Sequence, residues 1–394
     1  MVVLVASGVL AVASPADAGQ PADPVLAWSG YGAQAITAGR APASAMVLLG
    51  IEHVAMYDTA VALGLRAEPF VIRLRAQPGT SSAAAIATAA HHVVAARVPA
   101  QQAFLDATYA NYLAGIPDGA GKRRGVDLGR RIAAAVLAWR AHDGLDNQVT
   151  YVQPPPGPGV WEPTAPTPPV DLVLTRVRPL SLRTASQFRP AGPLSLSSHR
   201  YAEEVHETGV RGRIDSSVRT AEQTAVAQFW AENTAVQWHR AVLRLASAKR
   251  LGLGAAARLL AMVFVAAGDA GIGCFAAKYH FLFWRPVQAI HQADPTWQPL
   301  LNVNHPEYPS GHACLTGAVA GALTAFFGTD RVVFTVDSTV TGTQESFGSF
   351  HAALDQVTEA RIDSGLHLRH SMVDGGRLGY RTAWWVTAHD FRAS

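Results

Sequence analysis

Lysine is nearly missing from this chain: Lys122, Lys249 and Lys278 are its only three, and every other one of its 32 basic residues is arginine. A lysine seven residues before Arg285 is therefore a departure from the chain's own habit. Charge of either sign is sparse, at 15% of residues with a formal net charge of +3. The pI near 9.0 comes from a small arginine excess and not from a basic block, which excludes a nucleic-acid partner. Cysteine is limited to Cys274 and Cys314. Two cysteines in an exported protein permit a disulfide, but spacing alone does not show that they meet, so they read as two small buried apolar side chains. Strand patterns are almost absent, which leaves an all-α fold, and no repeat of fixed period appears. Beyond the N-terminus no run reaches the ~18–20 uninterrupted apolar residues of a spanning helix. Leu259 to Ala267 is short and bracketed by Arg258 and Asp269, so no transmembrane segment is expected in the mature chain.

What the chain has in quantity is apolar sequence, 49% of its 394 residues, enough for a large core in one domain or two closely packed ones. The N-terminus has an apolar stretch from Val2 to Ala13 and an Ala16-Asp17-Ala18 site, and residues 1–18 read as a signal peptide with no basic residue at its start. A secreted or periplasmic location follows from that reading. Helical spacing marks 24–38, 45–65, 82–97, 101–115 and 125–142 within an N-terminal helical half, 19–152. Pro154, Pro155, Pro156, Pro158, Pro163, Pro166, Pro168 and Pro169 forbid helix in the next segment, 153–193. Its Trp161, Leu172, Leu174 and Phe188 are too apolar for a disordered tether, so it reads as an extended strap across the helical body. In the C-terminal half, 194–394, Thr220 and Gln223 form a capping box before a long helix expected to run through Phe229, Trp230, Val236 and Leu243. Another helix is expected from about Ala255 to Lys278.

Three segments of that half carry the chemistry: Lys278 to Arg285-Pro286, then Pro309-Ser310-Gly311-His312, then Arg361 to His367. Lys278 and Arg285 are two helical turns apart, and Pro286 ends the helix at the arginine. Phe281, Phe283 and Trp284 surround these cations with apolar side chains, where a charge needs a partner. Ser310-Gly311-His312 open an apolar helix, whose free N–H groups and serine hydroxyl suit an oxyanion. Each piece alone is ordinary, a solvated cation or a structural cap. Together, three fixed cations, a hydroxyl, a glycine N–H and two imidazoles are what a tetrahedral oxyanion requires.

The pattern resembles the superfamily of acid phosphatases and vanadium-dependent haloperoxidases, whose motifs are Lys-x6-Arg-Pro, Pro-Ser-Gly-His and Ser-Arg-x5-His-x3-Asp. His53 to Asp58 and His305-Pro306-Glu307-Tyr308 look like the bacterial haloperoxidase-type branch. The resemblance implies a helical-bundle fold and vanadate as cofactor, held at His367, with His312 as the acid–base group. Lys278, Arg285, Ser310, Gly311 and Arg361 would bind the oxyanion, and hydrogen peroxide, halide and a small organic acceptor would be substrates. His305 falls where bromide-oxidising members tend to carry histidine and chloride-oxidising ones phenylalanine, so bromide or iodide is expected over chloride. Two positions depart from the pattern: the serine before the arginine is Ala360, and the aspartate four residues after the histidine is Ser371. Asp374, one turn further on, is as much a substitute for that aspartate as a surface carboxylate. An acid phosphatase or phosphotransferase acting through a phosphohistidine, with phosphate in the same cage, is the alternative, and a non-catalytic secreted helical scaffold the third. Oligomeric state is left open by the sequence, a homo-oligomer included.

Overall fold

Residues 23–392 are described in a computed structural model, so the expected signal peptide lies outside the described residues. Asp23 accepts from the Val25 and Leu26 N–H groups and opens helix α1 (Pro24–Thr37). It is followed by α2 (Pro42–Ala62), α3 (Ser82–Arg97), α4 (Gln102–Ala114) and α5 (Ala120–Arg140). The C-terminal half holds α6 (His199–Arg211), α7 (Ala221–Phe229), α8 (Thr234–Ala248), α9 (Leu253–Phe281), α10 (Pro286–Ile290) and α11 (Gly311–Phe327). Two final helices, α12 (Phe350–Asp363) and α13 (Arg369–His389), follow a hairpin of β1 (Phe334–Ser338) and β2 (Thr343–Phe347). The fold is mostly helical, as the spacing of apolar residues implies.

The hairpin was not foreseen. Its first strand alternates buried and half-buried residues, Phe334, Val336 and Ser338 facing inward, but five residues are too few to stand out against helical flanks. The helix expected through Phe229 and Leu243 is in fact two. The Thr220–Gln223 capping box forms as expected, but α7 stops at Phe229 and Asn233 caps a new helix, accepting from the Ala235 and Val236 N–H groups. Apolar spacing continues across that break because Trp230 and Trp238 both face the core.

One core runs through both halves. Helix α9 packs along α2 at its centre, and a smaller separate cluster of Tyr201, Phe283, Trp284, Tyr308 and Leu368 lies within the second half. Both helices are long and apolar enough to cross a membrane by length and composition, yet 94% of each apolar window is buried inside the fold. Each Leu, Val, Ile or Phe so buried contributes about 1.5–3 kcal/mol. The proline-rich strap lies across both halves and contains one short 3-10 turn, Leu172–Arg176; on the first half its Asp171 accepts from the Ala43 and Ser44 N–H groups of α2. Trp161 N–H donates to Leu282 O at 2.7 Å, and Val170 N–H donates to Asn304 O at 3.0 Å. Buried carboxylates pin the remainder: Asp269 of α9 accepts from the Leu180, Ser181 and Leu182 N–H groups at 2.6–2.8 Å.

The two cysteines do meet. Cys274 on α9 and Cys314 on α11 form a disulfide, contrary to the reading as separate apolar side chains. The crossing of two interior helices brings together residues 40 apart in sequence, which spacing cannot report. Helix α13 is seated equally closely on α11: a Cβ on Gly379 would lie 2.3 Å from Cys314 O, and one on Gly375 2.8 Å from Ser310 O. Only glycine permits that approach, and it carries the segment after His367 onto the helix that begins at Ser310.

Candidate oxyanion site

Lys278 sits on the last turn of α9, fully buried. The helix ends at Phe281, past Lys278 but short of Arg285, where Pro286 was expected to end it, because Leu282 adopts a left-handed conformation (φ 48°). Arg285 is therefore not on the same helix; it is extended, at the N-terminus of α10, and turns back toward Lys278 from the loop. Ser310 caps α11, its Oγ accepting from Ala313 N–H at 3.4 Å, and Gly311 and His312 form the first turn. Arg361 lies near the end of α12, and the Gly365 turn (φ 75°) returns the chain to place His367 before α13. Lys278, Arg285, Ser310, Arg361 and His367 are all buried, and Gly311 with them.

The three cations converge. Arg285 donates to His305 O and to Leu366 O, both at 2.7 Å, and its Nη1 is 3.3 Å from His367 Nε2. Lys278 Nζ donates to Pro306 O at 2.8 Å and Glu307 O at 3.0 Å. Its Cε would be 3.7 Å from a Cβ on Gly311, so the missing side chain leaves space beside the ammonium and opens the helix N–H groups. Arg361 donates to Trp230 O at 3.1 Å, while its Nε has no partner, and neither has His312 Nε2. Burial pushes Arg285 down to about 10 and Arg361 to about 9, with Arg285 adding to the push on Arg361; both stay charged at neutral pH. Burial, then Arg285, presses Lys278 well below its usual range, and Glu307 pulls the other way. His312 and His367 are driven well below 6.5 by burial and then by Arg361 and Arg285 respectively, so both imidazoles are neutral.

This enclosure fits an oxyanion. Unpartnered Nε–H of Arg361 and unpartnered His312 Nε2 are donors and acceptors without protein partners, which a buried site rarely leaves unmet. Three cationic side chains face one carboxylate, Glu307, so a bound anion supplies charge the protein lacks. His367 Nδ1 is 3.0 Å from Glu307 Oε1. Burial raises Glu307 to about 7 while Arg285 and Lys278 pull it down, but its Oε1 already accepts from Leu368 N–H and so accepts from His367 as well, which puts the imidazole proton on Nδ1 and leaves the Nε2 lone pair facing the cage.

Glu307 is the residue sequence reasoning missed. It stands within the quoted His305-Pro306-Glu307-Tyr308 string, and its signal was a carboxylate among apolar and aromatic neighbours two residues before the serine motif. Asp374 is not the substitute: it accepts from Tyr308 Oη at 2.5 Å and pairs with His370 at 3.2 Å, away from His367. His305 is in the site and bonded to the cage. Its Nδ1 is 2.8 Å from Arg285 Nη2 and 3.1 Å from Pro306 O, so the ring leans on the cage arginine. Beyond these residues a cavity of about 300 Å³ opens, bounded by His305, Gly311, His312 and Arg361 at one end and by Phe275, Leu301 and Leu315 along its wall.

Residues 258–392 match the family defined as the VCPO second helical-bundle domain. A vanadium chloroperoxidase of Curvularia inaequalis is 41% identical over 80 residues, 16% of this chain and 13% of that protein, so the match spans a small part of the relative. Among solved structures, a bacterial vanadium-dependent iodoperoxidase superposes with a TM-score of 0.82 at 23% identity, covering 95% of this chain and 99% of the other. A bacterial vanadium-dependent chloroperoxidase in its holo form gives 0.74 at 17% identity over 89% and 93%. The chain thus has the helical-bundle fold of the vanadium haloperoxidases over 95% of its length. Its residues 258–392, which hold the whole cage, belong to the second-domain family of those proteins.

Proposed function

We propose that the protein is a vanadate-dependent haloperoxidase that oxidises iodide or bromide with hydrogen peroxide. The observation that carries this reading is His367, whose Nδ1 is tied to Glu307 while Nε2 faces three buried cations. Vanadate would be held by His367 Nε2, Lys278, Arg285, Arg361, the Ser310 hydroxyl and the Gly311 N–H; when bound it supplies Lewis-acid activation of peroxide. The chain's own part is to neutralise the anion, keep His367 in one tautomer, and offer the His312 Nε2 lone pair as a proton acceptor at the cavity's edge. Full-length likeness to the fold of a bacterial iodoperoxidase supports the reading, as does His305 facing the cavity, where an imidazole favours the larger halides by resemblance. A water's share of volume is about 30 Å³, and peroxide and halide are of that order. The cavity of about 300 Å³ leaves room for a small organic acceptor.

The Glu307–His367 pair also favours a second reading, a phosphohydrolase in which His367 is the nucleophile, since an oriented basic imidazole is what a phosphohistidine route needs. One experiment separates them. Purified protein is assayed with and without vanadate for iodide and bromide oxidation by peroxide, and for hydrolysis of a chromogenic phosphate ester, with His367→Ala as control. Halide oxidation appearing only on vanadate loading and lost in His367→Ala is the expected result. Ester hydrolysis by the unloaded protein, inhibited by vanadate, would replace the first reading with the second.

A further inference from the structure

The resemblance places an aspartate four residues after the anion-facing histidine, and this chain has Ser371 there. Ser371 Oγ is 3.5 Å from His367 Nδ1 and 3.4 Å from Glu307 O, a distant neutral contact that brings no charge. The carboxylate instead arrives from a different segment. Glu307, in the loop that leads into the serine motif, has one oxygen 3.0 Å from His367 Nδ1, and the same oxygen accepts from Leu368 N–H at 3.0 Å. Both residues of the pair are shielded from solvent, their side chains each 1% exposed. Two donors on Oε1 fix the carboxylate, the carboxylate fixes the ring, and the second oxygen, Oε2, has no partner.

We infer that Glu307 is the positioning residue for His367, doing from the preceding loop what the family pattern assigns to an aspartate on the following helix. A negative charge hydrogen-bonded to Nδ1 holds the proton there, frees Nε2 for the oxyanion and raises its basicity. The same charge offsets part of the field of Lys278, Arg285 and Arg361. Because Glu307 and Ser371 approach one nitrogen from two sides, the task can be met from either position, and at most one carboxylate is required. The inference rests on His367 meeting the oxyanion, which both readings of the function share.

Orthovanadate and inorganic phosphate are titrated into the unloaded full chain and into Glu307→Gln, Glu307→Ala and Glu307→Ala/Ser371→Asp, with the His367 tautomer followed by nitrogen NMR. Vanadate affinity should fall ten- to a hundred-fold in both single variants. The Nδ1-protonated form should lose its dominance in Glu307→Ala, and the double variant should recover most of both. Glu307→Gln keeps the shape and the Leu368 contact, so it gives the answer should Glu307→Ala not fold. Unchanged affinity in Glu307→Gln, with a lower melting temperature alone, would reduce Glu307 to a loop anchor and overturn the inference. A double variant that folds without recovering affinity would overturn it too. If the parent binds neither anion, the site assignment itself has failed; if the parent binds and Glu307→Gln binds equally, only this inference has.

Discussion

Removing one of the cage's cations should leave the unliganded protein nearly as stable and abolish its response to anion. Arg361→Met is the variant of choice because Arg361 makes a single hydrogen bond, to Trp230 O, and keeps an unpartnered Nε beside Arg285. Losing that bond strands one buried carbonyl, at about 1–3 kcal/mol. Removing a desolvated charge that is repelled by another guanidinium returns a similar amount, so the net change is about 1–2 kcal/mol of either sign. The anion's effect is larger and one-directional. At a hundred times its Kd, an anion that binds only the folded state stabilises the parent by about 2.7 kcal/mol. The described chain, residues 23–392, has 370 residues. At about 2.1 cal/mol/K per residue its unfolding entropy is about 0.8 kcal/mol/K, so the melting point should rise by about 3–4 °C. Thermal unfolding is followed with phosphate or vanadate against chloride at equal ionic strength. A full anion shift in Arg361→Met, together with a loss of more than about 3 kcal/mol without anion, would mean the arginine is a structural tie and not part of an anion cage.

Three further outcomes are expected. His305→Phe should change the bromide-to-iodide preference and, because it strands Arg285 Nη2, weaken vanadate binding by about 1–3 kcal/mol; steady-state halide kinetics and vanadate titration check both, and unchanged halide preference would remove His305 from the chemistry. Ser29 Oγ bridges His53 and His239 at 2.8 and 2.9 Å deep in the core, where burial lowers them to about 4 and about 3. Both are neutral in folded and unfolded chains above pH 6.5, so stability is intact there. Below 6.5 only the unfolded chain takes protons, and stability falls by about 1.4 kcal/mol per pH unit per histidine down to about pH 4. Urea midpoints from pH 7 to 4 should show this slope, shallower in His239→Gln; an equal slope in that variant would rule the pair out as its source. Reduction of Cys274–Cys314, which closes a loop of about 40 residues, should cost about 4 kcal/mol by chain entropy, read as a lower urea midpoint in Cys274→Ser/Cys314→Ser.

The chemistry was legible in the sequence because oxyanion binding demands particular side chains in short strings: Lys278 to Arg285, Ser310 to His312, Arg361 to His367. Each string is a local object, a helix end, a helix start, a turn, and local objects obey spacing rules that can be read without coordinates. Helix positions were legible for the same reason, from the apolar period of segments such as Pro42–Ala62 and Leu253–Phe281. Spacing reported less well wherever a few residues decide, as at the α7–α8 break, the β1–β2 hairpin and the early end of α9 at Leu282. Only the tertiary structure decided which carboxylate serves His367, that His305 leans on Arg285, and that Cys274 reaches Cys314. Those are contacts between segments 20 to 60 residues apart, made by helices crossing and loops folding back. Sequence spacing carries no measure of such distances: the residues that must be present can be read in order, while the partners they take depend on where the packed core brings them.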